Sequence, residues 1–260
     1  MNNTVHIDYR RLFTSLVLIA SFCAAPHAAA PTPEDRKIVI ESREKMPAPE
    51  ALQRKARSEA LLKRAGVPVN VHLPVIETEA EARKRSKEEV AHRALALLVV
   101  AVKGEGLEQE IVERLIRDYG LGSHLTPQEL AFVRDKSPSQ QDRVQFSWRY
   151  EAAWVLLWAL GFVDELKSPD TICDVPRAVS IMKERSTQRF IADAKLRPLA
   201  EILDQADLIY RYDWAVVEGR VNGEAPPASV DPGVVQERHY ALNWLIGYMN
   251  QEWDDVSTDT

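Results

Sequence analysis

Cysteine is almost missing from this chain. Cys23 and Cys173 are the only two in 260 residues, and with the N-terminus removed Cys173 would stand alone, so no internal disulfide framework is expected. No metal-type cysteine pair is present, and no H-E-x-x-H, P-loop or G-x-S-x-G occurs either. The usual zinc, nucleotide and serine-hydrolase signatures are therefore excluded, and no cofactor and no metal are expected. Glycine is scarce at 10 residues, and alternating β-branched runs are few, which leaves little to build a sheet from. An excess of positive charge is lacking too. With 33 Lys and Arg against 39 Asp and Glu, the formal charge is −6, a poor basis for holding nucleic acid through its phosphates.

What is present is apolar and helical. Apolar residues make up 45% of the chain, enough to bury a good-sized core. Ser147–Gly161 reads S-W-R-Y-E-A-A-W-V-L-L-W-A-L-G, and Ala152 to Leu160 is unbroken apolar. A helix with no polar face must be covered all round, yet this one falls short of the roughly 20 residues that cross a bilayer. It is predicted to be the centre of a bundle, over about 139–161 and stopped by Gly161.

Other helices are expected over Glu50–Ala65, with Leu52, Ala56, Ala60 and Leu61 as the apolar stripe, and over Leu107–Tyr119. Further ones are expected over Asp174–Glu184, Ser186–Lys195, Pro198–Val221 and from Asp231 to about Asn250. Thr78 with Glu81 and Ser86 with Glu89 both have capping-box spacing, and one of them starts a helix that carries Val90, Ala94, Leu98 and Val102 to Gly104. Thr126-Pro127 with Glu129 opens another. Residues 67–75 alternate apolar and polar but include Pro68 and Pro74, which predicts an extended strip outside any sheet. The expectation is all-α: one domain over 50–260, with about eight helices.

The N-terminus carries an address. Arg10 and Arg11 precede the apolar run Leu12–Ala25, and Ala28, Ala29 and Ala30 follow, the pattern of a secretory signal over 1–30. A periplasmic or secreted location is expected, with an uncleaved N-terminal anchor as the lesser alternative and no membrane span in the mature chain. Removing Arg10, Arg11 and Asp8 leaves 31 basic residues against 38 acidic, or −7. Residues 31–49 contain Pro31, Pro33, Pro47 and Pro49 and read as a flexible tether.

Three ionisable residues fall on apolar helix faces: Glu151, Asp213 and His239. An unpaired buried charge is costly, so each needs a partner, with Arg149, Arg211 and Arg238 close in sequence and Asn243 one turn beyond His239. Two readings stay open. If the three converge, they make a pocket in which a carboxylate and His239 exchange protons, with the arginines and Asn243 holding a ligand. If they do not, they are a polar network that fixes helix register.

Glu89 and His92 have the E-x-x-H spacing of bundle metal sites, but no second copy exists. Tyr240, Trp244 and Tyr248 form an aromatic stripe with Trp253 following, either an inter-helix seam or a surface for a protein partner. The acidic end W-D-D-V-S-T-D-T carries Trp253 and Val256, so it is expected to dock.

Several blocks then stand together: R-S-E-A-L-L-K-R-A-G-V-P, W-R-Y-E-A-A-W-V-L-L-W-A-L-G, Y-R-Y-D-W-A, E-R-H-Y-A-L-N-W-L and the terminal W-D-D-V-S-T-D-T. In this order they resemble a bacterial domain-of-unknown-function family, number 4272, over roughly Arg57–Thr260. The resemblance implies domain extent and no activity. The expected function is an exported, non-enzymatic binding or interaction protein whose partner is another exported protein or a small ligand. A hydrolase using Glu151, Asp213 and His239 is the alternative, and an envelope protein that neutralises a toxin is a third.

Overall fold

Ser86 opens the helix against which most others pack. Its hydroxyl accepts from the Glu89 N–H while the Glu89 carboxylate accepts from the Ser86 N–H, so both orphan donors are satisfied. The computed structural model describes residues 46–260, with Thr32, Glu34, Lys37, Ile38, Ile40 and Glu41. The expected signal over 1–30 lies outside the described residues, as does part of the 31–49 segment. Within that segment Glu34, Lys37, Ile38, Ile40 and Glu41 are helical, with Lys37 and Glu41 paired one turn apart at 3.9 Å.

The α-helices of the described region are α1 (Pro49–Arg64), α2 (Lys87–Gly104), α3 (Gln109–Asp118), α4 (Pro127–Arg134) and α5 (Gln140–Ser147). They continue as α6 (Arg149–Ala159), α7 (Val175–Lys183), α8 (Thr187–Asp193), α9 (Leu199–Val221) and α10 (Pro232–Ile246). No strand occurs among the described residues, and Pro31–Thr260 forms one compact unit. The architecture is an all-α bundle.

The centre is shared by two helices. α6 is buried along its apolar run, and only Trp154 reaches towards the surface. Beside it α2 is buried without a break over residues 93–104 and packs against α3, α4, α5, α6, α7 and α8. The single helix expected over about 139–161 is two, broken at Trp148. A Cβ on Gly104 would lie 2.7 Å from the Ser147 nitrogen and 2.8 Å from the Arg143 oxygen, so the end of α2 sits directly on the backbone of α5. The Ser147 hydroxyl donates back to the Val144 carbonyl at 2.7 Å, a contact that bends helices.

Two expectations fail locally. On α1 the stripe Leu52, Ala56, Ala60 and Leu61 is exposed, and Ala51, Arg54, Ser58 and Leu62 face inward. The reason is polar: Arg54 donates to the Glu77 carbonyl at 3.1 Å and to Asp204 at 3.3 Å, which turns its own face to the bundle. In the strip over 67–75, Val67, Leu73 and Val75 are buried, but Val71 is exposed. Asn70 makes a turn there, its side-chain oxygen accepting from His72 N at 2.9 Å and its carbonyl from Leu73 N at 3.3 Å. The turn breaks the alternation.

α10 stops at Ile246, short of Asn250. Gly247 takes the left-handed conformation (φ +67°) open to glycine, and a Cβ there would stand 2.5 Å from the Arg83 Cβ. The chain then turns back, and residues 248–257 lie across α10 as a strap. Arg85 donates to the Trp244 carbonyl at 3.1 Å and to the Gln251 carbonyl at 3.0 Å, fastening both ends of the turn.

Candidate functional site

α6 begins with Arg149, Tyr150 and Glu151, which places Glu151 in the core at 2% exposure. Its Oε2 receives Arg238 Nε at 3.3 Å, and its Oε1 accepts the Cys173 backbone N–H. Arg238 also donates to the Lys167 carbonyl at 2.6 Å. Burial pushes the Glu151 carboxyl above its ordinary range, against the pull of Arg238 and the Cys173 N–H. Burial, and then the Glu151 carboxylate, push the Cys173 thiol well above its ordinary range, against the reactive thiolate form.

His239 follows Arg238 on α10, about 100° further round the helix, so the two side chains meet different neighbours. Arg238 meets α6, whereas His239 Nδ1 lies 3.0 Å from Asp213 Oδ2 on α9. The Tyr210 ring centroid is 6.0 Å from that of His239. Both members of the His239–Asp213 pair are buried. Glu151, Asp213 and His239 thus form two separate pairs, and the hydrogen bonds do not join them into one constellation.

The other expected ligand-binding residues are held in the same way. Arg149 Nη1 donates to both Glu237 oxygens at 3.1 and 3.0 Å and lies over the Tyr240 ring at 5.0 Å. Burial alone would lower the Arg149 pKa, but Glu237 reverses this and holds it above its ordinary value. Arg211 grips Asp207, one turn earlier on α9, through two bonds at 2.9 and 2.7 Å. Asn243 donates to the Ser257 carbonyl at 2.8 Å. Sequence reasoning missed Arg93, which pairs with Glu129 across α2 and α4. Its signal was a lone arginine inside the apolar run V-A-H-R-A-L-A-L-L, although Glu129 lies 36 residues away.

The aromatic stripe is covered by the chain's own strap. Trp244 and Trp253 are buried and meet edge to face, with centroids 5.4 Å apart, and Tyr240 meets Trp253 at 5.1 Å. Arg85 lies over Trp244 at 4.5 Å and Arg93 over Trp253 at 5.1 Å. Tyr248 is half-buried at the turn. The acidic end docks through Trp253.

Glu89 and His92 do not share a ligand site. The Glu89 carboxylate caps Ser86, and His92 Nδ1 faces the Glu88 carbonyl at 2.9 Å. Among the described residues, no group of three or more His, Cys, Asp or Glu side chains could hold a metal ion. The His92 ring stacks on His124 at 3.9 Å with only 6° between planes. Burial, then His92 and Arg93, hold the His124 pKa below its usual 6.5. A lowered histidine contributes stability that is present above pH 6.5 and is lost as pH falls through the folded value. His124→Gln should therefore flatten the fall in melting temperature between about pH 7 and 5, read by circular dichroism. An unchanged slope would contradict this.

The family model described as Domain of unknown function (DUF4272) matches residues 54–256. The chain belongs to this family. No curated protein and no solved structure matches the chain. The DUF4272 region runs from buried Arg54 to Val256 in the strap, so it contains the Glu151–Arg238, Asp213–His239, Arg149–Glu237, Asp207–Arg211 and Arg93–Glu129 pairs. Among the described residues of this DUF4272 chain, no helix is long and apolar enough to cross a membrane.

Proposed function

We propose that this chain is an exported, non-enzymatic binding protein whose partner is another protein. One observation carries the reading: Glu151, Asp213, His239, Arg211, Arg238 and Asn243 are all buried, and each is held by a partner of its own. A general acid or base must come within hydrogen-bond reach of substrate. Glu151 is instead held by Arg238 and the Cys173 N–H, and Asp213 by His239. Such pairs suit a fixed helix register better than turnover. Export rests on Arg10, Arg11, the run Leu12–Ala25 and Ala28–Ala30, which together have the composition of a cleaved signal.

A second reading keeps one specific support. The His239–Asp213 pair has the orienter-and-base arrangement of hydrolytic sites, with Asp213 fixing the imidazole. Native mass spectrometry of the mature chain, purified from the exported fraction of its own host, separates the two. The binding reading predicts a complex with a second protein that survives His239→Ala. A bound small molecule or metal lost on Glu151→Ala or His239→Ala would establish the pocket instead.

A further inference from the structure

The strap over 248–257 is a poor fit to its own seat in two independent respects. Its hinge is the first. Met249 and Asn250 take the left-handed conformation at φ +52° and +54°, immediately after Gly247 at +67°. Left-handed backbone strains a residue with a side chain, methionine more than asparagine, and persists only where surrounding contacts impose it.

The second is the seat of Trp253. Its indole is enclosed by Arg93, Tyr240 and Trp244, and the Tyr240 hydroxyl donates to the Trp253 carbonyl. Yet Trp253 Nε1, Arg93 Nε, Arg149 Nε and Glu129 Oε1 are all buried there with no hydrogen-bond partner among the described residues. Buried polar atoms left unpaired are a penalty on the closed state.

The buried indole anchors the strap, and charge and hydrogen bonding hold the residues on either side of it. Arg83 and Arg85 face Glu252 at 3.4 and 3.5 Å, and the Gln128 N–H donates to Asp254 at 3.3 Å. The seat therefore has a definite chemical preference: a buried slot for an indole, with arginines and a helix-start N–H for flanking carboxylates.

We infer that this seat is a recognition groove for an extended protein segment carrying tryptophan flanked by acidic residues, which the chain's own 251–257 occupies as a releasable internal ligand. The inference rests on the binding reading and supplies its partner class. A partner segment displaces the strap, which relaxes the left-handed pair at 249 and 250 and presents a new main chain to the unpaired groups that the groove itself supplies, Arg93 Nε, Arg149 Nε and Glu129 Oε1. The preference for acidic flanks follows from Arg83 and Arg85. Binding falls as salt is raised.

The test uses a fluorescently labelled peptide of residues 251–260 added to the full mature chain. Trp253→Ala keeps the tail but removes its anchor, so the peptide should bind this variant at least about tenfold more tightly than it binds the parent. Met249→Gly with Asn250→Gly removes the hinge strain, closes the strap more firmly and should weaken peptide binding below that of the parent. This second variant leaves the core untouched, so the test survives if Trp253→Ala fails to fold. Equal peptide binding by the parent and every folded variant overturns the inference. So does a dimer with exchanged tails that ignores the peptide. A protein partner that co-purifies equally with parent and Trp253→Ala would keep the binding reading while overturning this groove.

Discussion

Arg211→Ala is expected to lower folding stability by about 3–5 kcal/mol, the cost of leaving a buried charge without its counterion. Asp207 is fully buried, and its two carboxylate oxygens are both taken by Arg211. The same guanidinium reaches the Pro74 carbonyl at 3.2 Å, so the substitution also frees the 67–75 strip from α9. Arg211→Lys should recover little, because a lysine cannot reproduce the two-pronged grip. The comparison variant is Arg57→Ala. Arg57 also binds an aspartate, Asp204 at 2.6 Å, but the two side chains are 56% and 43% exposed. That pair should contribute at most about 1 kcal/mol. Urea denaturation of the three variants gives the ordering directly, and a small loss for Arg211→Ala would show that Asp207 is rescued from elsewhere.

Arg238→Met and Glu151→Leu, made singly, should each cost about 3–5 kcal/mol for the same reason. Each single change strands one charge in a site that is 2% exposed at Glu151 and 4% exposed at Arg238. Made together, they leave no charge behind and put two apolar side chains of similar bulk against each other. Buried pairs replaced in this way are often neutral or better, so the double variant should regain most of the loss. Part will not return, because the Cys173 N–H and the Lys167 carbonyl lose their side-chain partners.

Much of the fold was legible because its signals are local. Ser86 with Glu89 and Thr126 with Glu129 form complete capping boxes where the spacing placed them. Thr78 with Glu81 forms the same bonds, but no helix follows, since a cap needs an apolar face behind it to bury. The run Ala152–Leu160 marked a buried helix correctly. The equal role of α2 was less visible because Arg93 and Lys103 interrupt its apolar run, although both are buried. On α1 apolarity chose the wrong face, because Arg54 and Ser58 turn inward to reach acceptors on other elements.

The candidate site was legible as a set of residues and illegible as a geometry. Glu151, Asp213, His239 and the three arginines are all buried or paired, as the cost of lone charge requires. Which partner each takes depends on contacts as distant as the 87 residues between Glu151 and Arg238, and no local spacing encodes those. Asp207 with Arg211 is the exception, being one turn apart on α9.

On the proposed binding function, the buried pairs Glu151–Arg238 and Asp213–His239 hold a scaffold on which a protein partner docks. The most direct test is partner binding by the double variant Glu151→Leu with Arg238→Met, alongside His239→Ala, each purified from the exported fraction and measured by native mass spectrometry. The folded variants should carry the same protein partner as the parent, at the same stoichiometry. A stable, folded variant that has lost a bound small molecule or a measurable turnover would contradict this and make the pair part of an active site.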